Sequence, residues 1–97
     1  MNTQQLVVLA EKVCADWADK GKIIEGGWQA MIIVGNLQDA PEAQLREMRK
    51  AYMLGAEHLF TSIMTIMDPG AEPTERDCKR MDLIHEELEA YRRTLGN

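Results

Sequence analysis

Apolar positions recur at helical spacing over most of the chain. Between about Gln4 and Lys20, Leu6, Leu9, Ala10, Val13 and Trp17, with Val7 and Cys14 beside them, fall on one face of a 3.6-residue repeat. Thr3 is placed to cap this helix and Gly21 to end it. From Lys22 to Leu37 the pattern changes: Ile23, Ile24, Met31, Ile32, Ile33 and Val34 form runs, and Gly26-Gly27 interrupts them. The expectation here is a short buried helix near Glu25 to Val34 closed by Gly35-Asn36, with a buried strand as the alternative.

The third segment opens with Asp39 as N-cap, Pro41 in the first turn and Glu42 completing a capping box. Leu45, Met48, Tyr52, Gly55, Leu59, Ser62 and Ile66 then step by three and four. Met53, Ala56, Phe60, Ile63 and Met67 form an adjacent stripe, so the apolar face is wide. Asp68-Pro69-Gly70 stops this helix, because proline lacks an N–H donor and glycine accepts left-handed dihedrals. Pro73-Thr74 starts the fourth, with Asp77 three residues after the Thr74 cap. Cys78, Met81, Ile84, Leu88, Tyr91 and Leu95 carry its repeat to Gly96-Asn97. The pattern predicts an all-α protein: one small helical bundle over 1–97, dominated by a long helix hairpin at about 40–67 and 75–95.

A helix from Ala40 to Met67 would be about 42 Å long at ~1.5 Å per residue, whereas a compact chain of this length has a radius of gyration of about 12 to 13 Å. Either the helix bends near Gly55 or it projects and pairs with another copy. The seven methionines and the wide apolar face favour a homo-oligomer.

Composition narrows the function classes. At 97 residues there is room for one domain. The net charge of −5 argues against a nonspecific hold on a nucleic-acid polymer or an anionic membrane. No run of 18 apolar residues occurs, and Met1-Asn2-Thr3-Gln4-Gln5 lacks the basic start of a secretory signal, so a cytoplasmic location is expected. Cys14 and Cys78 lack C-x-x-C spacing and are expected as buried thiols.

Catalytic chemistry finds no support. Asp82 and His85, with Glu89 one turn on, have the spacing of a helical metal half-site, but His58 has no carboxylate three residues before it. Glu86-Glu87-Leu88-Glu89 approaches the acidic motif of an all-α nucleotide pyrophosphohydrolase, but Ala90 stands where the third glutamate belongs. Phosphate-loop, G-x-S-x-G and Cys–His signatures are absent from the sequence. The expectation is a protein without enzymatic activity, metal or cofactor.

Two basic clusters suggest ligand binding. Arg46, Arg49 and Lys50 share one helical face, and Arg76, Lys79 and Arg80 another near a helix start, where backbone N–H groups also favour anions. Trp28 and Tyr52 could add a base-stacking surface. The same cations are spaced to pair with Glu42, Glu47, Glu72, Glu75 and Asp77 on a solvated face.

The run Gly55-Ala56-Glu57-His58-Leu59-Phe60-Thr61-Ser62-Ile63-Met64, with Asp68-Pro69-Gly70-Ala71-Glu72-Pro73-Thr74, Arg80-Met81-Asp82 and Glu87-Leu88, resembles a signature of short phage and prophage proteins. The resemblance covers roughly Trp28 to Tyr91 and implies a viral accessory protein. The helix carrying Arg49-Lys50-Ala51, the proline-containing turn and the second helix also resemble the helical hairpin of the anti-CBASS and anti-Thoeris sponges. Those homo-oligomeric phage proteins sequester cyclic nucleotide signals without cleaving them. The turn lies further from the arginine than in those hairpins and their tryptophan-alanine-asparagine segment is missing after Leu88, so no binding residue carries over. These resemblances imply a phage anti-defence protein that holds a cyclic nucleotide between subunits. The alternative is a protein that inhibits a host defence complex, or serves as a phage accessory, through helix–helix contacts of its acidic, Met-rich surface.

Overall fold

The computed structural model describes residues 1–96, which form four α-helices and no strand: α1 (Thr3–Asp19), α2 (Ile23–Val34), α3 (Glu42–Ile66) and α4 (Glu75–Leu95). The all-α architecture is the expected one, and the two long helices fall within two residues of their expected bounds. The chain divides into two compact units, Met1–Leu59 and Phe60–Asn97, with the division inside α3.

In the first unit, α1 is capped by Asn2 instead of Thr3. The Asn2 side chain accepts from Gln5 N at 2.8 Å, and the Gln5 side chain accepts from Asn2 N at 2.9 Å. Thr3 is therefore the first helical residue. Gly21, at φ 79°, turns the chain out of α1.

The second element is a helix and not a strand, and its two glycines lie within it. A Cβ at Gly26 would stand 2.7 Å from Trp17 Cβ and 2.9 Å from the Cys14 carbonyl oxygen. Only glycine lets α2 approach the backbone of α1 this closely, and the two helices pack along one another. A Cβ at Gly27 would meet the Tyr52 hydroxyl of α3 at 2.0 Å. The pair read as an interruption is thus a point of helix packing on two sides. The helix is also less buried than expected: Trp28 is 4% exposed, but Ile23 is 64% exposed and Val34 49%.

Asn36, at φ 54°, takes the left-handed turn after α2. The start of α3 differs from the sequence reading. Leu45 N donates to Pro41 O at 3.0 Å, which makes Pro41 the N-cap residue and leaves Asp39 outside the helix. The helix runs without interruption through Gly55.

In the second unit the start of α4 follows the expected capping box. Thr74 Oγ1 accepts from Asp77 N at 3.1 Å, and Asp77 Oδ2 accepts from Thr74 N at 3.1 Å. Asp77 Oδ1 also accepts from Asp68 N at 3.0 Å, and Thr74 Oγ1 donates to Asp68 Oδ2 at 2.7 Å. Asp77 is only 5% exposed, and both oxygens of its carboxylate accept hydrogen bonds from backbone N–H groups. The backbone N–H groups of Asp68 and then Thr74 accordingly hold its carboxyl below the usual aspartate range. Cys14 is half-buried and Cys78 exposed, so the expectation of two buried thiols fails at Cys78. Among the described residues, no helix is long and apolar enough to cross a membrane.

Candidate functional site: exposed cations and uncovered apolar helix faces

Three of the eight residues expected to hold a ligand belong to the packing of the first unit. The Trp28 ring is buried, and its centroid lies 5.7 Å from that of Tyr52 at an interplanar angle of 54°. Burial, first of all, raises the Tyr52 hydroxyl above the ordinary phenol range. The structure places the Trp28 ring in the core of the first unit and not on an open surface.

Arg49 is bound in the same cluster. Its guanidinium forms a two-pronged pair with Glu25: Nη1 donates to Oε2 at 3.0 Å and Nη2 donates to Oε1. Gln29 Nε2 adds a donor to Oε2 at 2.9 Å. The Arg49 guanidinium also lies 5.9 Å from the Trp28 ring centroid. The Glu25 carboxyl, bonded first by Arg49 and then by Gln29, falls from 4.5 to about 2. Arg49 therefore joins α3 to α2. Its neighbours Arg46 and Lys50 stay exposed, Lys50 within 3.3 Å of Glu47.

The second basic cluster divides in a similar way. Arg80 is half-buried, and its Nη1 donates to the Ile66 carbonyl in the last turn of α3, where helix carbonyls lack intrahelical partners. Arg76 and Lys79 remain exposed in the first turns of α4. Four cations therefore face solvent, Arg46 and Lys50 on α3 and Arg76 and Lys79 on α4. Arg49 and Arg80 do structural work.

The more extensive feature is apolar. Among the described residues, Ala10 and Trp28, each 4% exposed, are the buried hydrophobic residues. Large apolar side chains stand open on every helix, including Val8 (60%) on α1, Ile23 on α2, Leu54 (65%) on α3 and Leu95 (68%) on α4. Single exposed apolar residues are ordinary, but repeats of them along whole helices mark interaction surfaces. Of these residues, periodicity picks out Leu95; Val8 and Leu54 lie off the apolar repeats and Ile23 belongs to a run. Spacing alone does not say whether an apolar face is covered by its own chain or by another copy.

His58 and His85 are both exposed. Among the described residues no three His, Cys, Asp or Glu side chains gather into a metal-binding group. The fold and surface define an all-α helical protein with open apolar faces. Comparison with protein-family models, curated proteins and solved structures finds no match to this chain.

Proposed function

We propose that this is a non-catalytic binding protein that acts through helix–helix association, first with copies of itself. The observation that carries this reading is the imbalance between two buried apolar side chains, Ala10 and Trp28, and the many exposed Leu, Ile, Val, Met, Phe and Tyr side chains on the four helices. Each large apolar side chain moved from water to an interface contributes roughly 1.5 to 3 kcal/mol. Association therefore supplies the burial that a 97-residue chain provides only thinly by itself. The resemblance of residues 55–64 and 68–74 to short phage proteins supports a phage accessory role, exerted on a host protein complex through these same faces.

Self-association makes the melting temperature depend on protein concentration. The expected result is a Tm that rises by several degrees between micromolar and millimolar protein. A constant Tm over that range contradicts the reading.

A second reading is favoured by the exposed Arg76 and Lys79, which stand beside the N–H groups at the start of α4. In it, the oligomer sequesters a small anionic nucleotide, such as a cyclic dinucleotide, without cleaving it. Ligand at about 100 times its dissociation constant adds roughly 2.7 kcal/mol to stability. A thermal-melt panel of cyclic di- and trinucleotides and cyclic ADP-ribose isomers tests it. A shift with one class supports sequestration, and no shift with any class removes it.

A further inference from the structure

The apolar stripe of α4 has a spacing that a single-chain core does not require. Met81, Ile84, Leu88, Tyr91 and Leu95 are separated by three, four, three and four residues, the a and d positions of a heptad repeat. Except for the half-buried Ile84, all stand open: Met81 is 39% exposed, Leu88 56%, Tyr91 63% and Leu95 68%. The seam spans fifteen residues, about 21 Å at ~1.5 Å per residue. Its upstream end is held by the Thr74–Asp77 capping box.

The charges beside this seam identify what covers it. With Met81, Leu88 and Leu95 at a, the g positions hold Arg80 and Glu87, and the e positions hold His85 and Arg92. In a parallel pairing, g of one helix meets e of the next heptad on its neighbour, which sets Glu87 against Arg92 of another copy and Arg80 against His85, so one of the two pairs is of opposite charge. In the antiparallel registers that keep four apolar layers together, Glu87 meets Glu87, or His85 meets Arg92. Neither is an opposite-charge pair. Arg92 already lies on the seam's flank, 3.0 Å from Glu89 of its own chain. Of the positions facing away from the seam, Asp82, Glu86, Glu89 and Arg93 are charged, while Leu83 and Ala90 are apolar.

We propose that α4 is a parallel self-association seam, covered by α4 of other copies of this chain and oriented by Glu87–Arg92 pairs between them. The proposal deepens the association reading above and rests on it.

The test is sedimentation of the full chain over a concentration series, with helix content followed by circular dichroism. Leu88→Arg, at a position more than half exposed in one chain, should keep its helix signal and sediment as an 11.0 kDa monomer. Glu87→Arg and Arg92→Glu should each weaken association by roughly tenfold, and the double swap should restore it. Glu86→Arg, on the far side of α4, changes charge equally and should leave association as it was.

A wild-type chain that is monomeric at every concentration overturns the association reading and the seam together. An oligomer that survives Leu88→Arg overturns the seam alone. Failure of the double swap to recover overturns the parallel orientation.

Discussion

Glu25 and Arg49 are 24 residues apart in sequence, yet they form the most specific polar contact of the first unit. Because the Glu25 carboxyl is held at about 2, the pair stabilises the fold fully above the ordinary carboxylate range, and that contribution is lost as pH falls from about 4.5 toward 2. Glu25→Gln should lower stability at neutral pH by about 1 kcal/mol, because the Arg49 side chain is 43% exposed and solvent screens the pair. It should also flatten the acid limb of a stability-versus-pH curve measured by urea unfolding. An unchanged acid limb would mean that the pair contributes little in solution. Gly26→Ala should cost about 1 to 3 kcal/mol in the same assay, since the new Cβ would meet Trp17 Cβ and the backbone of Cys14. Gly27→Ala should cost less, because the atom in its way is the far end of the Tyr52 side chain. None of this was legible in sequence. A glycine pair inside an apolar run reads as a breaker, and a long-range ion pair leaves no local spacing to detect. Arg49 and Trp28 were noticed for their chemistry, but that chemistry is turned inward, onto Glu25 and Tyr52.

At the scale of elements, the start of α4 was fully legible, because its cap is local: Thr74, Asp77 and the preceding Pro73 carry it within five residues. The start of α3 was misread for the complementary reason. Asp39 and Pro41 both suit a helix start, and the backbone bond from Leu45 to Pro41 decides between registers that composition leaves equal. Asp77→Ala removes the acceptor of two backbone N–H groups from a site 5% exposed. It should cost about 1 to 3 kcal/mol, and Asp77→Asn should recover part of it. Because its carboxyl is held low, the Asp77 contribution is present above the usual aspartate range and is lost as pH falls through its lowered value. Gly55 behaves in the opposite way. It lies inside α3 with nothing within 4 Å of where its Cβ would be, so Gly55→Ala should stabilise the protein by roughly 0.5 to 1 kcal/mol. A loss of stability there would mean that another surface occupies the position in solution.

For the whole molecule, periodicity located the helices and supplied the all-α class. It could not reveal that so few of the apolar residues are covered by their own chain, since covered and open stripes share one pattern. Two compact units share α3. The expected cation surface is reduced to Arg46, Lys50, Arg76 and Lys79. What remains large and unexplained by packing within one chain is the apolar surface, and the association proposed above rests on it. The most direct test is the mass of the wild-type chain by sedimentation equilibrium at micromolar to hundred-micromolar concentration. The account predicts a mass at a whole multiple of 11.0 kDa that falls toward the monomer on dilution. A constant mass of 11.0 kDa across the range would contradict it.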